Sequence, residues 1–297
     1  MTPEALALTG ITLVAAIVNG ALGYGFSSIT VPMALLFLTN RVLNPALVPV
    51  EVVLNAYVLW VNRAALPQVG RRVLPVIVGL APGVLAGTLL VSSVHPGWLK
   101  FATFVSLLPL ILLQAAGFRR PIRSERALGL TFGGGVGLLY AVTTISGPPL
   151  AVMLNNQGLA QREFRAAMGV IRLAESSLTA VAYAYAGLYS ADSLALIPSI
   201  VPSLLVGVPV GAWIIRRIDP ETFRRVCMSF DAWVVGFGIS TLLRALGIVD
   251  SPAAYAVLLA VIAADVALLV RFFSARRAGP VAAASPLRNA YADNDTR

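Results

Sequence analysis

The chain reads twice. Pro75 to Gly87 (PVIVGLAPGVLAG) matches Ser199 to Gly211 (SIVPSLLVGVPVG), setting Gly83 and Gly87 on Gly207 and Gly211. At the same offset of 124 residues (87 to 211), His95-Pro96 falls on Asp219-Pro220. An earlier pair, Gly20 to Leu36 and Gly137 to Met153, puts Pro32 on Pro149 at an offset of 117 (32 to 149). The second copy therefore carries about seven extra residues between the two matches. A duplicated apolar unit with glycine and proline inside its hydrophobic segments is a signature of many secondary transporters.

Composition fixes the solvent in which such a unit folds. Of 297 residues, 58% are hydrophobic and 12% charged, whereas a soluble domain carries about 25% charged residues. The sequence predicts an all-α polytopic membrane protein. Its net charge of +9 reads as arginine on cytoplasmic loops, and no basic run is interleaved with the aromatics that stack on nucleic acid. Cys227 is the single cysteine and His95 the single histidine, so an internal disulfide, a metal site and a haem site are not expected. No cofactor is implied. The start, MTPEALALTG, lacks the cationic region of a cleaved leader.

Apolar stretches of crossing length lie at about 45–65, 71–94, 97–117, 163–187, 192–216, 222–246 and 251–273, each near the ~20 residues a bilayer requires. Two others, 4–39 and 127–157, are interrupted by glycine, serine and proline. Basic residues cluster in the loops at 63–72, 119–126, 162–165 and 216–225 and in the segment from 271, which together hold 18 of the 22. Arg41, Lys100 and Arg244 fall on the opposite side. By the positive-inside rule the arginine-rich side is cytoplasmic.

Parity then constrains the two interrupted stretches. The loops before and after 127–157 are both arginine-rich, so that stretch enters and leaves on the cytoplasmic face as a hairpin kinked near Thr143 to Pro149. Likewise 4–39 begins and ends outside, turning near Gly20 to Pro32. Matched spans then run oppositely. The expected fold is two inverted repeats, each a broken or re-entrant hairpin followed by three transmembrane helices, plus one extra C-terminal helix. The expected division is a first repeat at 1–117, a cytoplasmic basic linker at 118–126 and a second repeat at 127–247. An additional helix at 248–274 and a disordered cytoplasmic tail at 275–297 complete it. The alternative is a single long tilted helix at each interrupted stretch, which would break the charge asymmetry.

Non-helical backbone at membrane depth is tolerated where it is buried in protein or lines a cavity, so the two kinks are candidate sites. Ser27, Ser28 and Thr30 surround one; Thr143, Thr144, Ser146 and Gly147 surround the other. Pro32 and Pro148/Pro149 suit the first turn of a half-helix, whose free N–H groups form an anion site. The competing reading is that these small residues only allow close packing and a proline kink.

Arg172 is the one basic residue well inside a span, where insertion costs roughly 2.5–3.5 kcal/mol. Its planar fork suits a carboxylate, sulfite or sulfonate. Equally, Glu175 sits three residues on, on the same helix face, and can pair with it. Glu51, Asp231 and Glu175 are candidates to carry a coupling proton, since embedded carboxylates can bind and release one. Asp265 is ranked below them because the final span lies outside the repeat. Gly79/Gly83/Gly87 and Ser203/Gly207/Gly211 form small-residue ladders expected to pack the two halves together. GALGYG has the wrong spacing and no preceding strand for dinucleotide binding, and no nucleophile has an evident activator, so no catalytic residue is assigned.

The glycine-rich first hairpin ending in Val31-Pro32, and TISGPPLAVML followed by GLAQREFRAAMGVIRL, resemble the sulfite exporter TauE/SafE family of bacterial permeases, from about residue 8 to 273. Tyr24, Phe26 and Ser27, and Tyr140 and Ala141, stand where the family is richer in glycine, departures that admit an anion shaped differently from sulfite. The resemblance implies export of sulfite or an organosulfonate such as sulfoacetate across the bacterial inner membrane. Together these readings predict a multi-pass secondary transporter of a small anion, working by alternating access. Its N-terminus would lie outside and its C-terminus in the cytoplasm. The rival readings are an anion channel or uniporter on the same scaffold, an intramembrane enzyme, and an assembly subunit.

Overall fold

The computed structural model describes residues 3–115, 125–155, 159, 161–217 and 219–277. All regular structure in them is helical: α1 Pro3–Leu22, α2 Phe26–Ala34, α3 Asn40–Asn62, α4 Leu66–Ser93, α5 Pro96–Ala115, α6 Glu125–Thr143, α7 Gly147–Asn155, α8 Gln161–Tyr185, α9 Ala191–Ile214, α10 Pro220–Ala245 and α11 Ala256–Arg277. Short 3₁₀ turns, Arg63–Ala65 and Pro252–Tyr255, join α3 to α4 and lead into α11. The expected linker at 118–126 lies outside the described residues up to 124, and the expected tail lies outside them from 278.

Among the described residues, five helical segments are long and apolar enough to cross a membrane, the one at Asn40–Ser93 containing both α3 and α4. Their outer faces stay apolar: Leu74, Val78, Leu85 and Leu89 on α4 and Leu205, Val206 and Trp213 on α9 are exposed. Lipid is the solvent that suits such faces. The α8 helix owes its lower hydropathy to charges it carries, including Arg172 and Glu175, and both of these point inward.

Both interrupted stretches are broken helices. The first break falls at Gly23 (φ 82°) and Gly25 (φ 109°), left-handed backbone that glycine adopts without cost. The second falls at Thr144 (φ 56°) and Ser146. Aligning the elements themselves, α1 and α6 end at 22 and 143, and α2 and α7 start at 26 and 147. At that offset of 121 residues (22 to 143), Gly23 falls on Thr144, so a left-handed residue follows the first helix of each break.

This corrects the proline-based register. Pro148 and Pro149 do lie in the first turn of α7, but Pro32 lies seven residues into α2, inside the helix. The glycines upstream made the break, so Pro32 was not required to begin the half-helix.

A break at membrane depth frees carbonyls that need donors. At the end of α6 the protein supplies them. Thr144 N–H donates to Tyr140 O at 2.6 Å, Tyr183 OH of α8 donates to Ala141 O, and Asn44 and Asn40 of α3 donate to Val142 O at 2.7 and 3.2 Å. The ladder residues bring backbones into contact. Gly79, Gly83 and Gly87 of α4 face Leu130/Gly133, Gly134/Leu138 and Leu138/Ala141 of α6 in turn, so the two helices run parallel. Ser203, Gly207 and Gly211 of α9 face Thr9, Leu13/Ala16 and Ile17/Ala21 of α1 in the same sense. At the centre, α3 and α8 cross antiparallel: Leu59 lies against Gly169, Asn55 Nδ2 donates to Arg172 O, and Glu51 meets the Arg172 side chain.

Candidate functional site

Where α3 and α8 cross between the two breaks, a cluster of charged and hydroxyl side chains is buried in the interior. Among the described residues Arg172 is the one buried basic side chain, only 3% exposed. Its Nη2 donates to Glu51 Oε1 at 3.2 Å, and its Nε lies 3.8 Å from Glu175 Oε1. Each acid is also bonded by a hydroxyl from one break: Ser27, at the start of α2, donates to Glu51 Oε1, and Ser146, just before α7, donates to Glu175 Oε1. Tyr140 OH, from the last turn of α6, donates to Glu51 Oε2 at 2.6 Å. Glu51, Glu175, Tyr140, Ser27 and Ser146 are all fully buried.

Helical spacing places these groups. Glu51 and Asn55 share one face of α3, and Arg172, Glu175, Ser176 and Thr179 share one face of α8. A charged residue on such a face would be costly toward lipid, so both faces turn inward, where Arg172 meets both acids. Two hydrogen-bonding positions in the cluster remain vacant: Arg172 Nε has no acceptor, and Glu175 Oε2 has no donor. Thr30 Oγ1 and Thr179 Oγ1 are likewise buried without a partner.

The sequence-derived candidates do not all converge. Arg172, Ser27, Ser146, Glu51 and Glu175 come together. Thr143 and Thr144 are spent on the break itself: Thr143 Oγ1 accepts from Ile145 N–H at 3.0 Å, and Thr144 Oγ1 donates to Thr143 O at 2.7 Å. Ser28 and Thr30 are buried on α2, and Gly147 lies against the Tyr24 ring. Asp231 stands apart, fully buried on α10 with both carboxylate oxygens unpartnered. Asp265 accepts from Ser229 Oγ and Trp233 Nε1 at 2.9 and 3.0 Å.

The half-helix ends differ as donors. In α2 the N–H groups of the first turn precede the first internal bond, Ile29 N–H to Gly25 O. In α7, Pro148 and Pro149 have no N–H, leaving Gly147 alone before Leu150 donates to Ser146 O.

Two features were missed by sequence reasoning. Tyr140 is a donor to Glu51, although its only mark in the sequence was to stand where glycine was expected. Glu51 falls on Glu175 at the 124-residue offset already set by the ladders, a correspondence legible once the ladder register is carried backward. Arg172 falls on Val48 at that offset, so the arginine has no twin.

The cluster offers one guanidinium and hydroxyl donors from both breaks, an arrangement that can receive an oxyanion. A family model described as Sulfite exporter TauE/SafE matches residues 8–237. A protein of Cupriavidus necator, named as a probable sulfite/organosulfonate exporter TauE, is 27% identical over 183 residues, covering 59% of this chain and 69% of its own length. No solved structure matches.

Proposed function

The chain belongs to the sulfite exporter TauE/SafE family of membrane transport proteins, and on that premise we propose that it is a secondary transporter of a small anion, sulfite or an organosulfonate, bound at Arg172. The observation that carries this reading is the burial of Arg172 where Ser27 and Ser146, one from each helix break, converge through Glu51 and Glu175. An arginine at membrane depth is costly even when paired, and such residues mark substrate and ion pathways.

The halves are proposed to be inverted repeats, residues 1–117 and 127–247, joined by the basic linker 118–126 and followed by the added helix 248–274 and the tail 275–297. Partner exchange supports this division. The parallel packing of α4 on α6 is matched by that of α9 on α1, and the counterparts α3 and α8 cross antiparallel. Counterparts related by a two-fold axis in the membrane plane must run oppositely. The site is enclosed on every side, the arrangement expected between openings when one half rocks against the other. The distribution of arginine supports placement in the bacterial inner membrane with the N-terminus outside and the C-terminus in the cytoplasm.

The experiment is uptake of ³⁵S-labelled sulfite and ethanesulfonate into proteoliposomes. Saturable uptake, accelerated by unlabelled anion on the opposite side, is the result expected of alternating access. A large anion current without exchange would assign a channel instead.

A further inference from the structure

We propose that the Glu51–Glu175 pair stands in for the substrate anion and that each monoanion bound at Arg172 is accompanied by one proton taken up by that pair. This rests on the reading of Arg172 as the substrate site and adds the co-substrate.

Arg172 Nη2 and the serine hydroxyls from both breaks, donors that an arriving oxyanion would use, are already engaged by carboxylates, and Arg172 Nε is left without an acceptor. Arg172 and Ser27 donate to Glu51, and Ser146 donates to Glu175. The two acids are twins at the repeat offset, while the cation between them is single. With both acids ionised the enclosed cluster would carry one uncompensated negative charge, and burial of an unpaired charge is strongly unfavourable. One proton makes it neutral.

The hydrogen bonds say where that proton resides. Both oxygens of Glu51 accept, from Arg172 and Ser27 at Oε1 and from Tyr140 at Oε2. Glu175 Oε2 accepts from nothing, so a proton there displaces no existing bond. The enclosed, substrate-free cluster is therefore Arg172⁺, Glu51⁻ and neutral Glu175.

A monoanion entering this cluster replaces Glu51 as the partner of Arg172 and takes over the serine donors. Neutrality then requires Glu51 to acquire a proton, giving Arg172⁺, the anion and two neutral carboxyls. One proton is gained per monoanion, and the loaded and empty enclosed states are both uncharged. The groups that face the pair come from two helices and the two breaks. Arg172 lies on α8, Tyr140 on α6, and the Ser27 and Ser146 hydroxyls come from the two breaks. Asp231 on α10 bonds to none of them.

The experiment uses full-length protein in liposomes holding a pH-sensitive dye, with ³⁵S-ethanesulfonate as probe because its own charge does not titrate near neutrality. Entry of the probe is expected to acidify the lumen by one proton per anion, at a rate insensitive to an imposed potassium-diffusion potential. Either Glu51→Gln or Glu175→Gln alone is expected to keep that ratio, because the remaining acid still takes up one proton on loading. The double variant is expected to move the anion without a proton and to become sensitive to the potential. Probe entry into wild-type liposomes without acidification would overturn the proton linkage and leave anion transport standing. A double variant that still acidifies one-for-one would overturn the assignment to these two acids. Absence of saturable uptake of either labelled anion would overturn the transport reading and this inference with it.

Discussion

Glu51 of α3 and Glu175 of α8 hold the same guanidinium, with Arg172 Nη2 lying 3.2 Å from one and Nε 3.8 Å from the other. The two acids lie 124 residues apart (51 to 175), the offset of the matched glycine ladders, and each is bonded by a serine from a different helix break. Movement of either break therefore acts directly on the partners of Arg172. This is the link between backbone architecture and the proposed transport chemistry.

The serines give a graded prediction. Ser27→Ala and Ser146→Ala each remove one hydroxyl donor, and a hydrogen bond from such a donor to a bound anion is worth about 1.5–3 kcal/mol. If the hydroxyls pass to the substrate, the KM for ethanesulfonate should rise by about tenfold or more in each variant. A lowered Tm with unchanged KM would assign them a structural role only.

The glycine seams should be intolerant of side chains. A Cβ at Gly83 would collide with the backbone of Gly134, and one at Gly207 would sit 2.5 Å from Ala16 Cβ. Gly83→Val and Gly207→Val are expected to cost about 1–3 kcal/mol or more through overpacking, read as a lower Tm in detergent. Gly135→Ala, where nothing lies within 4 Å, should leave Tm unchanged.

The breaks predict opposite responses at matched positions. Thr144 holds φ 56° and Gly23 holds φ 82°, a region that costs an L-residue about 1–2 kcal/mol. Thr144→Gly should relieve backbone strain and leave stability equal or higher, and Gly23→Ala should lower it by about 1–2 kcal/mol. Thermal unfolding monitored by tryptophan fluorescence distinguishes the two.

Topology is testable in a Cys227→Ser background. Cysteines placed at the exposed positions Arg71 and Arg162 should react with an impermeant maleimide only from the cytoplasmic side. Those at Ser93 and Asp250, also exposed, should react only from the other. Labelling of residues 93 and 162 from the same side would remove the inverted arrangement.

Much of this was legible because a membrane makes polarity expensive. A charged residue inside a span must face protein, so Arg172, Glu51 and Glu175 were identifiable before any geometry, and the ladders disclosed which backbones meet. The register of the hairpins was not legible. Proline is conspicuous in a sequence, yet Pro32 sits inside α2, and aligning the helix ends instead sets a glycine on a threonine, Gly23 on Thr144. Side-chain identity does not report φ when neighbouring donors hold the backbone in place. Tyr140 was obscure for a related reason: its partner, Glu51 of α3, is 89 residues away.

The most direct test is saturable uptake of ³⁵S-ethanesulfonate by wild-type protein, Arg172→Lys and Arg172→Gln in proteoliposomes, each shown to be folded by gel filtration. The account predicts that Arg172→Gln loses at least about tenfold in kcat/KM, as expected for the loss of a charge-assisted contact of about 1.5–3 kcal/mol, and that Arg172→Lys retains part of the flux. Undiminished saturable uptake by a folded Arg172→Gln protein would contradict it.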